Sequence, residues 1–469
     1  MGITKIKVAQ GIQWVEIPEA GLRVLCGCPA DAIKHLIKRG LVLPQEVKGV
    51  ACETGPNAIL LSDVALQNGE FANLAEFPVL QMLYKQGLII PNHPNNTGRK
   101  PLLIGAAEQV ASQVRYIYRG NYGLVSAEEI MQAGVDGKRA AEMMRLKLRF
   151  AFGKIKPTHD FIDARILAEE PLEIAPGVTL RRVRTNVFEF AWQGETVTVD
   201  LNLQPGEVFA CPYPLGYRRF ESEYFSVIHS GEGDGWDPNR PCMASILTFQ
   251  GRLYLIDAGP HIAYSLAALG IAIDQVDGMF HTHAHDDHFA GLTTLMRAGR
   301  RIRYFATPLV RASVTKKLSS LLGMAESRFA DFFEIHDLEF DTWNNVDGLE
   351  VMPVLSPHPV ETNILTFRTP WGDSYRTYSH FADIVSFDVL KKMVTDKPDA
   401  PGLDQAAFDA VRRAYLVPAD LKKIDVGGGM IHGEARDFKE DGSRRVLLAH
   451  RAGELTPAGK EIGSSAAFG

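Results

Sequence analysis

Apolar and polar residues follow two different rhythms along this chain. GLRVLCGCPADAIKHLIKRGLV (21–42) opens with an apolar strand, passes a Pro-Ala-Asp start signal and continues with apolar residues at helical spacing. Residues 105–118 and 126–152 also read as helices, and PNHPNNTGRKP (91–101) and YRGNYG (118–123) read as turns. The rhythm then changes to strict alternation in VTLRRVRTNVFEFAWQGETVTVDLNL (178–203), where Gln193-Gly194-Glu195 marks a hairpin turn. SILTFQGRLYLIDAGPH (245–261) reads as two strands about Gln250-Gly251, and QVDGMFHTHAHDDHFAGLTTLMRAG (275–299) as strand, loop and helix. The pattern predicts a mixed α/β N-terminal domain over 1–155, a β-rich connecting region with a small hairpin over 156–221, and a further α/β domain over 222–469. No internal repeat and no low-complexity tract is apparent in the sequence.

Composition narrows the class. A chain of 469 residues, 46% hydrophobic and 23% charged, has the balance of a folded protein with more than one domain. The net charge of −6, without a long basic run, argues against binding a nucleic acid polymer. Five cysteines make no disulfide framework, and Cys26-Gly27-Cys28 reads as small buried thiols beside a turn. MGITKIKVAQ has no apolar signal region and no apolar run approaches 18 residues, so a cytoplasmic protein without a membrane span is expected.

The histidines are unevenly placed. Of 14, three precede residue 222 (His35, His93, His159) and eleven follow it. HTHAHDDHFAG (281–291) holds four of them with two aspartates. His283 and His285 lie two apart, so an extended segment points both the same way. Asp287 and His288 are adjacent and diverge where the chain turns into a helix. Neutral imidazoles suit Zn, Fe or Mn, and a carboxylate compensates charge. Four such groups within six residues exceed what one ion draws locally, which implies a two-metal centre.

His283-x-His285-x-Asp287-His288, with Gly291 beyond it, resembles the signature loop of the metallo-β-lactamase superfamily. LIDAGP with Asp257, PVLSPHPVETNILTFRT with His358 and TYSHFADI with Asp383 are similar to further motifs of that family. SVIHSGEGDGWDPNRPCMASILTF, followed by MIHGEARDF and RRVLLAH, resembles its ribonuclease Z and phosphodiesterase branch. The resemblance covers about residues 222–455. It implies an αββα sandwich, with helices at 289–299, 307–323, 384–396 and 404–415. It implies two divalent ions, zinc first and manganese or iron next, on His283, His285, Asp287, His288, His358, Asp383 and His450.

Asp287, His432 and Asp257 form the expected catalytic set. Asp257 would hold a ligand histidine from behind, and His432 would protonate the leaving group. Branches with a single late histidine would make His432 the last ligand instead of His450. The motif around Asp383 is two residues longer than the family's, which makes His380 a competitor for that place. His281 is expected behind the ligands, His229 in the pocket wall or at the surface, and His261 and His336 in structural roles. The segment 384–431 reads as a lid or as a solvated decoration.

A water acidified between two cations suits attack on a small phosphodiester such as a cyclic nucleotide or cyclic phosphate. A lactone, thioester or other carboxylic substrate, or a di-iron redox or oxygen-sensing role, are the alternatives. His285 stands where the iron relatives carry a carboxylate, which favours hydrolysis. A small-molecule substrate is the expected partner, with a homodimer open.

Overall fold

The computed structural model describes residues 2–469 and divides the chain into two compact units. The first comprises 1–118, 156–212 and 320–324; the second comprises 119–155, 213–319 and 325–469. This differs from the linear division at 155 and 221 in two places, each with a packing reason. The alternating segment 172–200 forms a four-stranded antiparallel sheet whose Leu180, Phe188 and Phe190 share one core with Val15, Val24 and Leu60 of the first unit. The helices Ala127–Gln132 and Gly137–Phe150 instead bury Ile130 and Ala140 against Leu309 of the second unit. They are two helices and not one because Gly134 takes φ 91 and Asp136 caps a new start, accepting from the Lys138 and Arg139 amides.

The second unit is an αββα sandwich. One six-stranded sheet runs Phe225–Gly231, Ala244–Phe249, Arg252–Ile256, Gly278–Phe280, Ile302–Ala306, Phe333–Asp337. The other runs Asn344–Val346, Leu349–Ser356, Thr362–Trp371, Ser374–Phe381, Leu421–Asp425, Val446–Ala449. Every second residue faces the interior. Leu247, Phe249, Tyr254, Ile256 and Phe280 meet Leu349, Val351, Leu365, Phe367 and Tyr378 in one buried core. Phe280 is central: it stacks on Phe305 at 4.8 Å and meets the edge of Phe367 at 5.0 Å.

Towards the strand ends the interior turns polar. Lys423 reaches across the sandwich and donates to the carbonyls of Gly231 and Ala244, both at 2.6 Å. Burial pushes its ammonium down to about 7. Expected helices at 307–323 and 404–415 form as Pro308–Leu322 and Gln405–Tyr415. The expected helix at 384–396 is only Phe387–Lys391, started by a Ser386 cap. That at 289–299 is two single turns, Asp286–Phe289 and Leu292–Leu295.

The strand order of the second unit also occurs in the first, contrary to the absence of a repeat expected from the sequence. The first unit's six-stranded sheet runs Thr4–Ala9, Ile12–Ile17, Leu22–Cys26, Ala58–Leu60, Leu102–Gly105, Asp163–Ile166. In each unit two antiparallel pairings are followed by three parallel ones. The match holds residue by residue. Cys26 pairs with Leu60 as Ile256 pairs with Phe280. The next residues, Gly27 and Asp257, are left-handed (φ 78 and 65) and donate to the Leu60 and Phe280 carbonyls at 2.8 and 2.9 Å. Four residues on, left-handed Asp31 and His261 precede the seven-residue helices Ala32–Lys38 and Ile262–Ala268. Each sheet then leads into an antiparallel meander. Backbone geometry is kept while the residues are not: Gly27-Cys28-Pro29-Ala30-Asp31 stands against Asp257-Ala258-Gly259-Pro260-His261. The first unit thus repeats the strand order of the second unit's first sheet and the antiparallel part of its second, without a counterpart of Leu421–Asp425 and Val446–Ala449.

Among the described residues no helix is long and apolar enough to cross a membrane. Phe280→Ala removes the ring at the centre of the second unit's core and is expected to cost about 3–5 kcal/mol in urea unfolding; a loss under 1 kcal/mol would show that this core does not carry the unit's stability.

Candidate metal centre

The ligand loop leaves the strand Gly278–Phe280 at the end of the sandwich, where a positive-φ residue lets the preceding strand turn sharply. That residue is Asp257. Its carboxylate accepts from the Thr282 amide (2.8 Å), the Thr282 hydroxyl (2.7 Å) and His288 Nδ1 (2.8 Å). One buried carboxylate thus fixes both the start of the loop and the ring of its last histidine. Gly291 is required for packing: a Cβ there would lie 2.3 Å from the Gly259 carbonyl oxygen.

The structure brings all seven expected ligands together around Asp383. Asp383 Oδ2 lies 3.5 Å from His283 Nε2, 3.4 Å from His358 Nε2 and 3.9 Å from His285 Nδ1. Its other oxygen, Oδ1, lies 3.1 Å from both His288 Nε2 and His450 Nε2. Asp287 Oδ2 completes that side, 3.0 Å from His450 Nε2 and 3.5 Å from His288 Nε2. Two donors on a tetrahedral ion with bonds of about 2.1 Å stand roughly 3.4 Å apart, and these separations cluster about that value. The two sides share a carboxylate that turns one oxygen to each.

Two pairs of donors bond one another, His358 Nε2 with His285 Nδ1 at 3.1 Å and His450 Nε2 with Asp287 Oδ2 at 3.0 Å, while three further donor atoms are unsatisfied. His283 Nε2, His288 Nε2 and Asp383 Oδ1 are buried and have no hydrogen-bond partner among the described residues. His288 Nε2 and Asp383 Oδ1 approach to 3.1 Å without making a hydrogen bond, as expected of groups aimed at a common point.

The two sides differ electrically. Burial, aided by neighbouring imidazoles, lowers His283 to about 4 and His358 well below its ordinary range; burial also lowers His285. These three are neutral and ready to ligate. Burial acts the same way on His288 and His450, but Asp287, Asp383 and Asp257 outweigh it at His288, and Asp383 and Asp425 at His450. Both lie well above the usual range, so both carry a proton that a cation must displace. His432 is also raised, by Asp425 and Asp383 against burial.

Sequence reasoning missed Asp425. It ends the strand Leu421–Asp425, lies 3.4 Å from His450 Nδ1, and accepts from His432 Nδ1 at 3.2 Å and from the Ile384 and Gly427 amides. The signal was an Asp closing the short segment LKKID before Gly427-Gly428-Gly429. Of the two late histidines, His450 aims Nε2 at Asp287 and Asp383, while His432 turns Nδ1 to Asp425 and keeps its side chain 19% exposed. His380 turns away from the centre and bonds Tyr378 through Nδ1 at 2.9 Å. His281 bonds Tyr304 at 2.8 Å and stands behind the ligands, and His229 lies in a largely buried strand position.

The first unit carries none of this set at matching positions. Leu61, Ser62 and Asp63 follow Leu60 where His281, Thr282 and His283 follow Phe280. Thr185-Asn186 is a tight turn where the second unit has the loop bearing His358, and Asn202 stands where Asp383 does. Amides and hydroxyls satisfy one another there: Ser62 Oγ bonds Asn186 at 2.9 Å and Asn186 bonds Asn202 at 3.2 Å. Among the described residues, every group able to hold a metal lies in the second unit.

Parts of the chain are similar to known proteins. A family model described as Anti-Pycsar protein Apyc1 matches residues 227–379. A ribonuclease Z from Clostridium kluyveri is 44% identical over 59 residues, which span 13% of this chain and 20% of that relative's length. A diphosphatase from the PhnP family is 14% identical, with 52% of this chain and 93% of that one covered, at a TM-score of 0.37. Zn(2+)-bound PqqB from Methylobacterium extorquens is 16% identical, with 52% and 97% covered, also at 0.37. Human tRNase Z, short form, is 16% identical, with 52% and 96% covered, at 0.35. The second unit is similar in part to metallo-β-lactamase-fold proteins and carries groups of His and Asp that could hold a metal ion.

Metal uptake by stripped protein at pH 7 is expected to release protons, from His288 and His450, while the three lowered histidines contribute none. Calorimetric titration in buffers of different ionisation enthalpy measures this; uptake with no proton release would contradict the charge assignment.

Proposed function

We propose that the chain is a dinuclear metal hydrolase acting on a small phosphodiester, such as a cyclic nucleotide or cyclic phosphate. The observation that carries this reading is Asp383, whose Oδ2 faces His283, His285, His358 and His432 and whose Oδ1 faces His288 and His450. His283, His285 and His358 would hold one ion, Asp287, His288 and His450 the other, and Asp383 both. When bound, the pair of cations supplies Lewis acidity and a water acidified to near neutral pH. Zinc suits this histidine-rich set best, with manganese or iron as substitutes.

The chain's own groups do the rest. Asp257 keeps His288 in one tautomer by accepting from its Nδ1. Asp287, whose Oδ2 lies 3.0 Å from His450 Nε2, would hold one ion and could accept a hydrogen bond from a water beside it. His432 is the most exposed imidazole of the cluster and is held protonated by Asp425 and Asp383, which suits it to donate a proton to the departing oxygen. The small-molecule substrate and a cytoplasmic setting belong to the same reading.

Elemental analysis and a bis(p-nitrophenyl) phosphate assay test it together. About two ions per chain are expected, not four, because only the second unit carries the ligands. Asp383→Ala should lose both turnover and metal. His432→Gln should keep the metal and lose about 10²–10⁴-fold on a cyclic nucleotide, but much less on the nitrophenyl ester, whose leaving group needs no proton. Turnover of a lactone or thioester with no diester activity would transfer the reading to carboxylic substrates, and two irons with an oxygen-dependent spectrum and no hydrolysis would overturn it.

A further inference from the structure

The loops bearing His283, His285 and His358 are gripped from outside the sandwich by two buried lysines. Lys317, on the helix Pro308–Leu322, donates to the carbonyl of Ala284 at 2.6 Å and to Asp286 Oδ1 at 2.8 Å. Ala284 lies between His283 and His285. Lys147, on the helix Gly137–Phe150, donates to the carbonyl of Pro359 at 2.9 Å and to Glu361 Oε1 at 2.7 Å. Pro359 follows His358. The lysine side chains are 0% and 5% exposed, and their carboxylates 6% and 0%. Glu361 also accepts from the Leu124 amide at 3.0 Å. Gly123 leaves room for this, since a Cβ there would lie 2.2 Å from Glu361 Oε2.

This grip falls on one side of the centre only. His288 and His450 each have a carboxylate behind the ring, Asp257 and Asp425. On the other side His283 Nδ1 faces only the Thr282 hydroxyl at 3.1 Å, and His358 Nδ1 has no hydrogen-bond partner among the described residues. Rings without a carboxylate behind them depend on the backbone that carries them. Burying an ion pair contributes little stability by itself, so the value of these two pairs lies in the carbonyls they fix.

We propose that Lys147–Glu361 and Lys317–Asp286 are positioning pairs for the His283–His285–His358 side of the centre. This rests on the dinuclear reading. Lys147 belongs to 119–155, a segment that chain order places inside the first unit but that packs into the second. Both lysines and the loops they hold therefore lie within the second unit.

Cobalt(II) titration of the metal-free, full-length protein, followed by its d–d absorption, tests this without relying on activity. Wild type is expected to take up two equivalents tightly. Lys147→Met with Glu361→Gln keeps an acceptor for the Leu124 amide but removes the tether on Pro359. This variant should bind one equivalent as wild type does and the other about 10–100-fold more weakly, with a changed spectrum. Arg119→Met with Glu129→Gln removes a different ion pair from the same segment and should leave both equivalents tight. If the first variant does not fold, Lys317→Met with Asp286→Asn is expected to give the same selective loss. Two tight equivalents in the positioning variant, or equal weakening in the Arg119 control, would overturn the proposal. Fewer than two equivalents in wild type would instead overturn the dinuclear reading, and this proposal with it.

Discussion

Four carboxylates, Asp257, Asp287, Asp383 and Asp425, are buried at one end of the second unit's sandwich, none more than 3% exposed. Like charges desolvated together are strongly unfavourable unless positive charge is placed among them. Asp383 concentrates that constraint, because each of its oxygens faces a different group of imidazoles. Protons on His288 and His450 answer it in part, and divalent cations answer it fully. The strand-end loops, the left-handed backbone at Asp257 and His450 and the close packing at Gly291 all serve to hold these charges at fixed separations.

The centre is built in two unlike halves. Three neutral imidazoles hang from loops that lysines pin by their carbonyls. Two imidazoles on the other side are oriented and charged by carboxylates directly behind them. The second arrangement titrates and the first does not, so cations enter the two halves against different competitors. Both halves stand on the same scaffold. Helices carry Lys147 and Lys317, a strand ends at Asp425, and Asp257 follows the end of another.

Much of the site was legible in the sequence because its ligands cluster in short motifs at strand ends. His283, His285, Asp287 and His288 lie within six residues, where spacing alone sorts them. Asp425 stayed hidden because a single Asp after the mixed segment LKKI carries no motif of its own, and its bond to His432 depends on the turn that follows. Lys147 stayed hidden because its partner is 214 residues away. The hairpins at Gln193-Gly194 and Gln250-Gly251 were plain, since both turns use two left-handed residues that such pairs accommodate. The helix expected over 384–396 shortened because residues 392–404 form turns and bends instead. The repeated strand order left no trace in residue identity. Backbone hydrogen bonds preserve it where Gly27 replaces Asp257 and Asn202 replaces Asp383, and side-chain patterns do not report backbone bonds.

The most direct measurement is an anomalous difference map at the zinc edge from a crystal grown with zinc. Two peaks about 3.5–4 Å apart are expected. One would lie among His283, His285 and His358, the other among Asp287, His288 and His450, with Asp383 between them. A single peak, or a second peak held by His432 and Asp425 in place of Asp287 and His288, would contradict the shared-carboxylate centre.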